Sequence, residues 1–326
     1  MVAVAAPARN PIPEPELLLE PDSFAIAVIQ LRADDEAVKA LLEAALKSIT
    51  SGEAKLPASM AEVSNFLSTN NRADMLFAGL PFQAVRVDRM LPIGQTSPMY
   101  ASTLAGWKGL QVNLYNSLAA GPGGKAYPSD PYRRTDLISR EHSEDPTWAG
   151  TLCKVDGTFL FSPTPAQAKK TVDRLMPKDK PVPPSAGPLL AAYRALIKTP
   201  DAYGVLLNQK GAFSALLKSM NNEHIQKVRE KVGSDRLERV VANTQSATWQ
   251  VEIKSAERAE LQAVLTLDPK NVAEAVKTLE DGKASVDTTK IADISIVAGT
   301  NTVTVKAAVI GLKKLMTDAM SKGGTF

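Results

Sequence analysis

Ala247-Thr248-Trp249-Gln250-Val251-Glu252-Ile253-Lys254 alternates without a break: Ala247, Trp249, Val251 and Ile253 are apolar, and the residues between them are polar. Successive side chains of a strand point to opposite faces, so this stretch reads as a strand with one buried and one wet face. Ala259, Leu261, Ala263, Leu265 and Leu267 repeat the alternation after the link Ser255-Ala256-Glu257. With Lys254 paired to Arg258, Val251 meets Leu261 and Trp249 meets Ala263 on the apolar side. Pattern and register together predict an antiparallel hairpin with Trp249 buried beside Val251 and Ile253.

Working outward, Asp268-Pro269 is expected to cap and open a helix, because aspartate accepts from free amides and proline has none to lose. Val272, Val276 and Leu279 form the inward face of that helix. A second hairpin follows, with Ile294 and Ile296 leading into the turn Ala298-Gly299-Thr300-Asn301 and Val303 and Val305 returning. A closing helix is read from Val309, Leu312, Met316 and Met320 at helical spacing. A third unit of the same kind runs from Trp148 to Val155, turns at Asp156-Gly157 and returns through Thr158 to Phe161. Thr164-Pro165-Ala166-Gln167 then starts a helix with Ala168, Val172 and Leu175 inward. Thr147-Trp148 and Thr248-Trp249 begin two of these hairpins alike.

Each half also opens with a strand and a helix. Phe24 to Leu31 precedes Val38, Leu41, Leu42, Ala45 and Ile49, and Tyr203 to Leu207 precedes Phe213, Leu216 and Leu217. The fold class is therefore α+β: two domains of related strand–helix–hairpin–helix plan, each an antiparallel sheet with helices packed on one face. Residues 1–20, with Pro7, Pro11, Pro13 and Pro15, read as a mobile extended tail. The N-terminal domain spans 21–178, with an insertion at about 92–146 that holds a strand pair near Tyr100 to Leu104 and Leu110 to Leu114. A Pro-rich connector at 179–188 leads to the C-terminal domain, 189–326. Few contacts are expected to cross that connector.

Charge and inventory narrow the function. Lys and Arg total 38 against 35 acidic residues, a formal charge of +3, which points away from a nucleic-acid partner. Two histidines and one cysteine cannot build a zinc finger, an all-Cys site or an intramolecular disulfide, so no metal and no cofactor is expected. No apolar run is long enough for a transmembrane helix. Gly121-Pro122-Gly123-Gly124-Lys125 departs from a phosphate loop, with Ala119 and Ala126 where glycine and a hydroxyl are needed. Glu141-His142-Ser143-Glu144-Asp145 concentrates catalytic residue types, but a hydrolase needs its base and nucleophile to converge in space. His142 is accordingly a weak catalytic candidate. Cys153 reads as a buried strand thiol and His224 as an exposed helix residue.

Loops on rigid scaffolds carry function disproportionately, so the insertion supplies the binding candidates Trp107, Lys125, Tyr127, Tyr132, Arg133 and Arg134. Deleting Ala119 to Asp130 is expected to spare the fold and abolish binding. The inventory leans against an enzyme and toward a binding or assembly protein, with a protein partner or self-association rather than a small molecule. The alternatives are a hydrolase using His142 and a structural subunit of a larger particle, such as a phage or surface layer.

The run Pro21-Asp22-Ser23-Phe24-Ala25-Ile26-Ala27-Val28, the segment Val155 to Ala168, and Leu261 to Asp268 leading into Val272-Ala273-Glu274-Ala275-Val276 together resemble a group of uncharacterised duplicated α+β proteins of the bacterial cell envelope. The resemblance implies an extracytoplasmic protein and carries over no functional residue. Either Met1 is the native start and the protein is cytoplasmic, or a signal peptide was removed and the Ala/Pro-rich tail is what remained; the tail composition favours the extracytoplasmic reading.

Overall fold

In the computed structural model the central hairpin is β9 (Thr244–Ser255) and β10 (Arg258–Leu267), with Val251 opposite Leu261 and Trp249 opposite Ala263. At the turn, Ser255 rather than Lys254 pairs Arg258, and a register shift comes before Ile253 pairs Ala259. That irregularity reconciles the turn length with the apolar register. The structure describes residues 15–31, 35–41, 44, 82–90, 96–104, 127–140, 150–155, 158–177, 187–198, 200–219 and 223–321.

The remaining strands are β1 (Ser23–Leu31), β2 (Phe82–Met90), β3 (Thr96–Leu104), β4 (Ser129–Tyr132), β5 (Thr135–Arg140), β6 (Gly150–Val155), β7 (Thr158–Ser162), β8 (Ala202–Leu207), β11 (Ile291–Ala298) and β12 (Thr302–Ile310). The helices are α1 (Pro165–Leu175), α2 (Pro188–Arg194), α3 (Ala212–Ser219), α4 (Glu223–Val232), α5 (Ser234–Asn243), α6 (Val272–Lys283) and α7 (Leu312–Ser321), with a helical stretch at 36–41. The class is α+β, and every strand pairing is antiparallel.

Among the described residues the strands form one twelve-stranded sheet, in the order β11-β12-β10-β9-β8-β1-β2-β3-β7-β6-β5-β4. The two sheets expected of two halves are thus joined, because β1 pairs β8 with Ile26 opposite Val205. Outward from that seam the order is β8-β9-β10-β12-β11 on one side and β1-β2-β3-β7-β6 on the other. β6 and β7 therefore stand where β11 and β12 stand across the seam, and each of these hairpins is followed in the chain by a helix, α1 or α7. The repeated Thr-Trp suggests instead that the β6–β7 hairpin matches the Trp249 hairpin, which is not the structural correspondence. β3, read as part of an insertion, lies inside the sheet between β2 and β7. Val309, read as helical, is the penultimate residue of β12, and the closing helix begins at Leu312.

Opposed residues share a face, so the pairings trace rows across the sheet. On the first face one row reads Ile296, Val305, Ala263, Trp249, Gly204, Ala27 and Arg86. On the second face the neighbouring row reads Ser295, Lys306, Gln262, Gln250, Tyr203, Val28 and Val85. Both rows change character at the seam: the first face is apolar on the β9–β12 side, the second on the β1–β7 side.

The cores follow that switch. On the second face Ile26, Val28, Val85, Leu160, Cys153, Tyr203 and Val205 are buried beneath Ala168 and Val172 of α1 and Leu189, Leu190 and Tyr193 of α2. The capping of α1 is as its sequence requires, with the Thr164 hydroxyl accepting from the Gln167 amide and Pro165 in the first turn. Pro188, assigned to the connector, opens α2, and α2 docks in this core, as do Leu18 and Leu19, which the sequence assigns to a mobile tail. The connector therefore divides neither the sheet nor the core beneath α2. On the first face Leu267 and Val303 are buried by Val240 of α5 and by Val272 and Ala275 of α6. Phe24, Ala25 and Ala212 form a smaller cluster with Phe213 and Leu216 of α3.

Trp249 is half-buried, not buried as the alternation predicts. Its indole lies over Gly204, its cross-strand partner, where a Cβ would come 2.7 Å from the ring and 2.6 Å from the Ile26 carbonyl oxygen. Only glycine leaves room for tryptophan at the seam.

Candidate functional site

The binding candidates do not converge. Trp107, Lys125 and His142, with the strand expected at Leu110 to Leu114 and the hairpin opening at Trp148, lie outside the described residues. Tyr127 is 8% exposed, and so is a core residue rather than a surface aromatic. The Tyr132 hydroxyl donates to the Asp173 carboxylate at 2.9 Å, and Arg133 pairs with the same carboxylate at 2.5 Å. Arg133 also donates to the Met176 carbonyl oxygen at the end of α1. Asp130 holds Lys169 of α1 at 2.7 Å, and this contact raises the lysine pKa. These side chains fasten the β4–β5 hairpin onto α1, which leaves them little freedom to grip a ligand. Arg134 is exposed. A deletion of Ala119 to Asp130 would remove Tyr127 and half of β4, so it is not the fold-neutral cut the sequence implied.

Chemistry is equally sparse among the described residues. Burial pushes the Cys153 thiol up to about 12, so it stays protonated and unreactive at neutral pH. No cluster of three or more His, Cys, Asp and Glu side chains there could hold a metal ion. An open cleft of about 430 Å³ between α3 and α5 is lined by Ser214, Lys218, Asp235, Glu238, Arg239 and Ala242. Arg239 is already paired with Glu274 at 3.1 Å, and among the described residues the lining holds no histidine to serve Ser214 as a base.

The two edges of the sheet differ, and that difference is the most specific surface feature. An edge strand presents unpaired N–H and C=O groups that invite another strand, and proteins blunt such edges with short strands, proline, charge or bulges. β4 is four residues long and carries Pro131. β11 is eight residues long, without proline or lysine. Its first half is blunted by a bulge between Ala292 and Ser295, where Asp293 takes a positive φ of 53° and pairs with Arg258 at 2.7 Å. From Ser295 to Ala298 the described residues supply no such device, and Val297 is 58% exposed.

The hydrogen-bond phase of that half is set by the turn. The Gly299 amide donates to the Thr302 carbonyl oxygen, so the next pair, Ala298 and Val303, is a non-hydrogen-bonded one. Alternation then turns the amide and carbonyl groups of Ala298 and Ile296 away from β12, toward the open edge. The apolar run is visible in the sequence, but its position at an edge depends on strand order. Sequence reasoning takes it only as half of a hairpin.

No helix among the described residues is long and apolar enough to cross a membrane. No family model, no curated protein and no solved structure matches this chain.

Proposed function

We propose that the chain is a non-enzymatic binding or assembly protein that takes a protein partner by strand addition at the open half of β11. The observation that carries this reading is the contrast between a blunted edge at β4 and an unblunted one at Ser295–Ala298. Strand addition draws affinity from main-chain hydrogen bonds, which these residues offer outward. The matching order of strands on either side of the seam supports an internal duplication, in which two copies of one unit were joined through β1 and β8. The resemblance to duplicated envelope proteins extends the reading to an extracytoplasmic address, for which fractionation of the source cells is the direct check.

The test uses the full chain as bait, alongside an Ala298→Pro variant. Proline there removes an outward donor and leaves the ladder to β12 intact. Partners held by the wild type and lost by the variant support the reading. An identical set of captured proteins from both baits overturns it.

A further inference from the structure

Resting on that reading, we infer that the strand added at β11 is β11 of a second copy of this chain, antiparallel about a twofold axis at Ile296. The distribution of charge along the strand selects this arrangement. Asp287, Lys290 and Asp293 lie at or before its first half, and no charged residue occurs from Ile294 to Asn301. Antiparallel self-pairing sets each charged end against the neutral turn Gly299-Thr300-Asn301 of the other copy. A parallel arrangement would bring Asp293 against Asp293.

The hydrogen-bond phase agrees. A twofold axis perpendicular to the sheet keeps each face continuous, so it must relate residues whose numbers sum to an even value. Centred on Ile296, it opposes Ile296 to its own copy and Ile294 to Ala298. The outward amide of Ile296 then donates to the Ile296 carbonyl oxygen of the other copy, and the reverse, while Ala298 falls opposite Ile294 at the end of the bulge. Ser295 falls opposite Val297, which covers the most exposed apolar side chain of the edge. The alternative of β11 adding to β4 of another copy would build an open fibre, because that contact is heterologous. Pro131 and the brevity of β4 oppose it. The isologous pair closes at two copies.

A contact this short is small, so the dimer is expected to be weak, and light scattering of the full chain from about 10 to about 500 µM covers the appropriate range. The mass should double across that range for the wild type and stay at one copy for Val297→Lys and Ala298→Pro. Both substitutions fall on exposed positions, and circular dichroism confirms folding. A Ser295→Cys/Val297→Cys variant should oxidise to a covalent dimer, since opposed residues of a non-hydrogen-bonded pair sit about 4.5 Å apart, within disulfide reach. A wild type that stays monomeric throughout, or a dimer that survives both edge substitutions, overturns the inference. If the wild type is monomeric yet Ala298→Pro still loses captured partners, self-pairing fails and the edge-binding reading stands. If capture is also unchanged, both fall.

Discussion

The β1–β7 side of the sheet and the β9–β12 side bury opposite faces. Crossing the seam, Gln250 gives way to Tyr203 and Val28 on one face while Trp249 gives way to Gly204, Ala27 and Arg86 on the other. The burial is also unequal. Val28, Val85, Leu160 and Val172 are 0% exposed, whereas Trp249, Val251, Leu261, Ala263 and Val305 are all only half-buried. A sheet can thus be one hydrogen-bonded object while its cores are two, each held by its own helices. β8 belongs to both: Tyr203 and Val205 face the α1–α2 core and Leu206 faces α3.

The largest way to break this contrast is to cut it at the connector. A fragment of residues 187–326 retains every residue of the core around Leu267, Val272, Ala275 and Val303, so a cooperative melt is expected. It also strips β1 from β8, so that Ala202–Leu206 become a bare edge and the fragment should self-associate. An unfolded fragment would show that the sides are one folding unit. A well-behaved monomer would show that β8 needs no neighbour.

Next in size is the same substitution made on each side. Leu160→Ala, at 0% exposure beneath α1, should cost about 3–5 kcal/mol, near the top of the range for buried leucines. Leu261→Ala, half-buried on the other side, should cost about 1–2 kcal/mol, because less area is lost and water fills the gap. Urea denaturation of the full-length variants measures both, and equal losses would contradict the two-core account.

The same contrast explains which parts of the fold are legible in the sequence. The Trp249 hairpin, its apolar register and the caps at Thr164 and Asp268 can be read because one-sided burial leaves a period-2 pattern and caps are local. The β6 strand can be placed, but Gly150 to Cys153 are all buried, which erases alternation. Helix α2 is hidden in a run of prolines, although Pro188 followed by Leu189 and Leu190 is itself a helix start. The seam between β1 and β8 is beyond reach, since nothing local tells which edges of two hairpin sets will meet. Of the proposed site, the run Ile294–Ala298 is visible and its exposure is not. Tyr132 and Arg133 look available because their partner Asp173 lies on a later helix.

Trp249 tests the seam itself. Truncation of a fully buried tryptophan costs about 3–5 kcal/mol, but a half-buried ring over Gly204 should give about 1–2 kcal/mol in Trp249→Ala. The companion Gly204→Val should cost more than the tryptophan truncation, because its Cβ has nowhere to go between the indole and the Ile26 carbonyl oxygen. In the double variant the loss should shrink, since removing the ring vacates one side of that clash, and a thermodynamic cycle reads the coupling. Additive losses would mean that the two residues do not share the space.

The smallest expected effect lies on the wet second face of the β9–β10 hairpin. Glu252 and Glu260 stand directly opposite each other, a like-charge pairing that disfavours a strand pair. Lys254 relieves it, reaching Glu252 at 2.6 Å and Glu260 at 3.8 Å, and these contacts, the hydrogen bond to Glu252 first, raise the lysine pKa. A raised lysine pKa means a contribution present at neutral pH and lost as pH rises through the folded value, so the benefit should fade only in alkali. Lys254→Gln should lower the melting temperature slightly at low salt, and about 1 M salt, where the screening length is near 3 Å, should erase the difference. Adding Glu260→Gln to Lys254→Gln should restore the wild-type value by removing the repulsion instead of the lysine. If the double variant melts no higher than Lys254→Gln, the glutamates do not repel across the strands. The polar face would then be inert surface, with the contrast between the two sides resting on the apolar faces alone.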